Sequence, residues 1–235
     1  MFLEKMYFPH DISTFGPQID RLFLLIFWLV LVVWTAVMIT MVVFMIRYRA
    51  RPGRKAEYIE GNSRLEIVWT TATAAILIVL AFMSRSTWAD IKEHGPPGDV
   101  FYAATGKQFN WEFTYPGPDG KLGTKDDIIV ENELHVPVNK VVRIDLTSKD
   151  VIHSFYLPNL RLRQDAVPGR IIHVWFEATE TGQYEIPCSQ LCGFGHSGMK
   201  GNLTVQSQED FDKWLKDLYA NPPSPPSPTE GASPK

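Results

Sequence analysis

Two long stretches without a charged residue constrain this chain more than anything else in it. Leu22 to Ile46 would run about 37 Å as a helix at about 1.5 Å per residue, enough to cross a bilayer's hydrocarbon core. Ile67 to Ser84 is also uncharged and just long enough to cross. Glu66 and Arg85 bracket it, and Trp69 and Trp88 sit near its ends in the manner of interfacial aromatics. The first stretch is too long for the apolar part of a cleavable signal. It follows a 21-residue polar or mixed lead, and no small-residue cleavage pattern comes after it. Both stretches are therefore expected to stay in the mature protein as a two-helix membrane hairpin.

Orientation follows from charge. The loop at 47–64 holds Arg47, Arg49, Arg51, Arg54, Lys55 and Arg64 against Glu57 and Glu60, while the lead has only Lys5 and Arg21. Basic loops stay in the cytoplasm, so both termini are expected on the outer side. Residues 1–85 have 9 Lys and Arg against 6 Asp and Glu; residues 86–235 have 14 against 20. The C-terminal part is thus acidic, which repels nucleic acid and attracts a basic partner. The same charge also serves plain solubility.

The expected organisation is an outer N-terminal segment (1–20), the hairpin (21–88), an outer domain (89–220) and a tail (221–235). The outer domain reads as all-β. Short β-branched and aromatic runs recur at Ile128–Val130, Val141–Leu146, Ile171–Phe176 and Gly201–Val205. Pro116-Gly117-Pro118-Asp119-Gly120, Pro137-Val138-Asn139 and Pro168-Gly169 punctuate them, as in a Greek-key sandwich or barrel. Glu209 to Tyr219 is a short amphipathic helix with Phe211, Trp214, Leu215 and Leu218 on one face. The Pro- and Ser-rich tail has no core-forming residue and is expected to be disordered.

The chemistry is concentrated in Cys188-Ser189-Gln190-Leu191-Cys192-Gly193-Phe194-Gly195-His196-Ser197-Gly198-Met199, which contains the chain's only two cysteines. Thiolates with imidazole suit copper, zinc or an iron–sulfur cluster, and the thioether favours a copper electron-transfer site. A disulfide is the rival reading on the outer side of a membrane. His196 and Met199 at matching spacing favour the metal. Two thiolates bridging two coppers would leave each metal needing about two more ligands. His196, Met199 and a loop carbonyl can supply three, and His153 in Asp150-Val151-Ile152-His153-Ser154-Phe155 can supply the fourth. A distant His paired with a Cys…His…Met loop is how cupredoxin-like sandwiches build copper sites.

These motifs resemble subunit II of haem–copper cytochrome c oxidases, from the first span to about Leu215. Cys188 to Met199 fits the family's C-x-E-x-C-G-x-x-H-x-x-M at every position but one. His153-Ser154-Phe155 fits H-S-F, Asp165 to Arg170 fits D-A-x-P-G-R, and Glu66 to Thr70 fits E-x-x-W-T. The resemblance implies a dinuclear CuA centre. Cys188 and Cys192 would bridge the coppers, His153 and Met199 would complete one, and His196 with the Gln190 carbonyl the other. It also implies electron acceptance from cytochrome c or a similar donor, with Phe109 and Trp111 as candidates for receiving the electron. The electron would pass to subunit I, where O2 is reduced to water with proton translocation, and Glu66 would stand near the mouth of a proton channel. The implied partners are subunit I, the other oxidase subunits and the lipid bilayer of a bacterial cytoplasmic membrane, with the copper domain periplasmic.

Three positions depart from the pattern. Gln190 replaces a Glu that helps hold Mg2+ at the subunit I boundary, and an amide is a weaker ligand for that hard cation. Phe109 replaces the Trp usually assigned to receiving electrons. Thr73 stands where the second span often has a kinking Pro. Competing readings are a membrane-anchored copper-delivery protein of the Sco type, the CuA subunit of a related reductase, and a quinol oxidase subunit II. Two spans and a β-rich domain disfavour the first. The length disfavours a nitrous oxide reductase with its propeller, and the filled ligand positions disfavour the third.

Overall fold

The computed structural model describes residues 8–55, 58–93 and 95–223. Lys5, Glu57, His94 and the tail from residue 224 onward lie outside the described residues. The chain divides into two compact units, one within residues 18–94 and one formed by residues 1–17 with 95–235.

The first unit is built on α1 (Gly16–Arg47) and α2 (Ser63–Lys92). Their most apolar windows have mean hydropathies of 2.9 and 2.1 and are not buried within the protein. Val32, Trp34 and Phe82 are 66%, 58% and 74% exposed, so the helices are apolar on faces that the chain's own described residues leave uncovered. Apolar helices of this length suit lipid, not water. Asn62 caps α2 by accepting from Leu65 N at 3.2 Å, and Glu66 occupies the first turn, where a carboxylate complements the helix dipole.

The second unit is a β domain. Its strands are β1 (Val100–Lys107), β2 (Asn110–Tyr115), β3 (Ile128–Glu131), β4 (Glu133–Pro137) and β5 (Val141–Ser148). They continue with β6 (His153–Leu157), β7 (Leu162–Ala166), β8 (Ile172–Glu177), β9 (Gly182–Pro187) and β10 (Lys200–Gln206). One sheet has the order β3-β2-β1-β5-β8, a second β4-β10-β9, and β6 pairs with β7. The β1–β5 and β4–β10 pairings are parallel and the others antiparallel. The result is an open cupredoxin-like sandwich; the sheets do not close into the barrel that was the sequence's other expectation.

Alternation along the strands sets the core. Val142, Ile144 and Leu146 of β5 are buried with Tyr102 and Ala104 of β1, as are Leu134, Val136, Leu203 and Val205 of the second sheet. Each Val, Leu or Ile among them, fully buried, stabilises by about 1.5–3 kcal/mol before chain entropy is counted. Trp111, Phe113 and Phe155 fill the end of the core nearest the cysteine loop, with ring pairs at 5.5 and 6.2 Å.

The C-terminal helix forms as α3 (Gln208–Ala220), capped by Ser207 Oγ accepting from Asp210 N at 3.1 Å. Phe211 and Leu218 are buried, and Trp214 stacks on His135 at 4.0 Å and 7°. Burial on that face holds the His135 imidazole below its ordinary pKa, against opposing help from Gln206 and Glu133. The N-terminal lead joins the β domain. Ile12 is fully buried, its amide donates to Asn159 O, its carbonyl accepts from Thr179 N, and Phe15 packs edge-on against Trp175.

Candidate metal centre

Four elements bring the candidate ligands together. His153 opens β6, where it pairs with Ala166 of β7 in the Asp165–Arg170 motif. Cys188 follows β9 and bridges to Phe155, two residues beyond His153. Ser189 N donates to Ser154 O at 3.0 Å, and Arg163 ties Ser154 Oγ to Ser189 O. Cys188 N donates to Met199 O at 3.0 Å, closing the base of the loop. A single 3-10 turn, His196–Gly198, carries His196 and is capped by Met199, whose N–H donates to His196 O.

Gly106 makes the approach of His153 possible. A Cβ there would lie 2.9 Å from Cδ2 of the imidazole, so a side chain would push the ring off the loop. At the rim, a Cβ on Gly195 would lie 2.5 Å from the Phe109 ring, which lies over the loop. Phe109 is 39% exposed, whereas Trp111 is fully buried and meets His153 edge-on at 6.0 Å. Of the two aromatic candidates, only Phe109 reaches the surface. Glu66 lies in the first turn of α2, in the other unit.

Six donor atoms form one cage. The Sγ atoms of Cys188 and Cys192 are 3.9 Å apart. His153 Nδ1 lies 3.1 Å from Met199 Sδ and 3.9 Å from Cys188 Sγ. His196 Nδ1 is 3.6 Å and Met199 Sδ 3.8 Å from Cys192 Sγ, and Gln190 O is 3.3 Å from Cys188 Sγ. His153, Cys188, Cys192 and Met199 are buried, which leaves His196 and Gln190 as the partly exposed members.

The cage fits soft metal ions. Two thiolates about 2.3 Å from a shared tetrahedral ion stand about 3.8 Å apart, close to the separation seen here. Both cysteines are free thiols. Burial raises the Cys188 thiol, but hydrogen bonding to His153, to the backbone of Ser154 and Gln190 and to His196 overcomes it and brings it down to about 6. Burial and the neighbouring Cys188 charge push Cys192 up to about 11, so the second proton leaves only when a cation replaces it. His10, His135 and His173 stand apart from this cage. His10 pairs with Glu180, His173 with Asp145, and His135 stacks on Trp214.

Two residues at the site escaped the sequence reading. Asp150 Oδ1 accepts from His153 Nε2 at 2.8 Å, and Gln108 Nε2 donates to Cys192 O at 2.6 Å. A carboxylate three residues before a candidate ligand histidine was the available signal for Asp150; for Gln108 it was its place in the Gly106-Lys107-Gln108-Phe109 run, which fits the resembling family's G-x-Q before the aromatic position.

Membrane-length helices ahead of an open β sandwich that gathers thiol, imidazole and thioether donors define the class of membrane-anchored, cupredoxin-like metal domains. Residues 3–86 match the transmembrane domain of cytochrome c oxidase subunit II, and residues 118–207 match its periplasmic domain. An alternative cytochrome c oxidase subunit 2 of Bradyrhizobium diazoefficiens is 30% identical over 227 residues, spanning 87% of this chain and 82% of that one. Cytochrome c oxidase subunit 2 of Thermostichus vulcanus is 29% identical over 266 residues, spanning 90% and 78%. The periplasmic domain of subunit II of cytochrome oxidase of Bradyrhizobium japonicum is similar as a solved structure, at 36% identity and a TM-score of 0.47, covering 52% of this chain and 95% of that one. The chain belongs to the cytochrome c oxidase subunit II family. Membership makes it part of an oxidoreductase complex and a membrane protein with a periplasmic domain, and implies partnership with other oxidase subunits and cytochrome c and a copper CuA centre.

Proposed function

We propose that the cage holds two coppers and receives single electrons from cytochrome c for delivery to oxidase subunit I. The observation that carries this reading is the pair of sulfur atoms 3.9 Å apart with nitrogen, sulfur and carbonyl donors on both sides. Cys188 and Cys192 would be the thiolates shared by the pair. His153 and Met199, in mutual contact, would hold one copper, and His196 with the Gln190 carbonyl would hold the other. When bound, the copper pair supplies a one-electron carrier whose charge is shared over two nuclei.

The chain's own residues do the rest. The depressed Cys188 thiol is largely ionised at neutral pH and offers a ready thiolate. Buried ligands fixed by backbone hydrogen bonds keep their positions whatever the charge they hold, which lowers the reorganisation that electron transfer requires. Phe109 presents an apolar ring to the donor, and the buried Trp111 packs edge-on against His153, keeping water from that side of the imidazole. Gln190 spends its carbonyl on copper and brings only an amide to any Mg2+ site at the subunit boundary. Glu66 serves proton uptake at the cytoplasmic end of the second span, in a cytoplasmic membrane with both termini outside. The outer domain comprises residues 89–220.

Mixing the copper-loaded full chain in detergent with reduced cytochrome c tests the reading. Rapid oxidation of the donor is expected, at a rate that falls as salt screens the attraction between the acidic domain and a basic donor. A rate indifferent to salt contradicts the docking, and no transfer at all contradicts the function.

A further inference from the structure

We infer that Gln108 and Asp150 form a strap that positions the metal ligands by tying the donor-facing turn to both ligand-bearing segments. Asp150 uses both carboxylate oxygens. Oδ1 accepts from His153 Nε2 at 2.8 Å and from Val151 N at 2.6 Å, while Oδ2 accepts from Gln108 N at 2.7 Å. Gln108 then reaches the other way, its Nε2 donating to Cys192 O at 2.6 Å. The bonds run without a gap from His153 on β6, through Asp150 and the β1–β2 turn, to Cys192 in the loop. The residue after Gln108 is Phe109, whose ring lies over Gly195 of the same loop.

Each bond has a separate consequence. An imidazole whose Nε2–H is held by a carboxylate must present Nδ1 to a metal, in one ring orientation. His153 Nδ1 is the atom that faces Met199 Sδ and Cys188 Sγ, so Asp150 selects the nitrogen the cage needs. A charged acceptor also makes the imidazole a stronger donor to metal. Gln108 fixes the carbonyl of Cys192, and with it the direction in which that residue's Cα–Cβ bond enters the cage. A partner pressing on Phe109 therefore bears on a turn bonded to two ligands, and the ligand geometry is set at the docking surface. Asp145 with His173 is a pair of the same chemistry, 2.6 Å apart, on exposed strand residues with no link to the cage.

The inference rests on the copper reading, and two measurements on the full chain in detergent separate them. In the copper-free protein, nitrogen-15 NMR of the His153 ring follows Nε2–H exchange with water. Protection is expected in the unaltered chain and lost in Asp150→Asn, and Asp145→Asn leaves it unchanged. In the copper-loaded protein, a cuprous chelator times metal release, and both Asp150→Asn and Gln108→Met are expected to release copper about 10–100-fold faster, with altered copper hyperfine splitting. Gln108→Met keeps the Asp150 side chain and carries the test should Asp150→Asn not fold. Unchanged Nε2–H protection together with release within about twofold of the unaltered chain overturns the strap, since partners of this kind move affinity by at least tenfold. Protection that depends on Asp150 in a chain that never holds two coppers keeps the strap and overturns the copper reading.

Discussion

Replacing Cys188 with serine is expected to leave the chain with one copper in place of two and to slow electron uptake by more than about 100-fold, beyond what loss of an outer partner costs. A bridging ligand must be anionic and soft. The Cys188 thiol meets both needs, being held near a pKa of about 6 by His153 and the loop's amides in spite of its burial. A serine hydroxyl is hard and stays protonated. The remaining thiol, Cys192, can bind one metal with His196 and Met199, 3.6 and 3.8 Å from its sulfur, so a mononuclear site is the expected residue of the change. Metal analysis beside the spectrum checks it. Two coppers retained in Cys188→Ser would show that the thiolates do not bridge.

The second large effect is on stability. Trp111→Ala is expected to cost about 3–5 kcal/mol in denaturant unfolding of the β domain, the usual range for deleting a buried Trp. The ring is fully buried, and it touches His153 and Phe155 edge-on at 6.0 and 5.5 Å. The cavity would open directly beneath the ligand histidine, so copper release should quicken as well. Trp111→Phe makes the sharper comparison. The indole Nε1 has no hydrogen-bond partner among the described residues, so the phenyl ring forfeits packing and no hydrogen bond. It should cost less than half as much. A loss below about 1 kcal/mol in Trp111→Ala would mean that the ring does not support the site.

Much of this was legible before the fold was known, for physical reasons. Membrane-length apolar runs are set by bilayer thickness, so the spans could be counted. The ligand loop is local in sequence, and soft donors at fixed spacing announce themselves within twelve residues, Cys188 to Met199. Strands with clean alternation, such as Val141–Ser148, also declared themselves. β1 and β2 were harder. Glu112, only 2% exposed, lies on the outer face of its sheet under Lys107 and Lys149, which breaks the inside–outside pattern. The lead's packing onto Trp175, and the choice of an open sandwich over a barrel, depend on long-range pairing that no local spacing encodes. The bonds of Gln108 stayed hidden for the same reason: its side chain's partner is 84 residues away and its amide's partner, Asp150, 42 residues away, whereas Asp150 stands only three residues before His153.

Electron paramagnetic resonance of the copper-loaded full chain, with a metal count on the same sample, tests the central claim most directly. Two coppers per chain sharing one unpaired electron, seen as hyperfine splitting from two equivalent nuclei, is the predicted result. One copper with a single-nucleus pattern, or zinc alone in the cage, would contradict it.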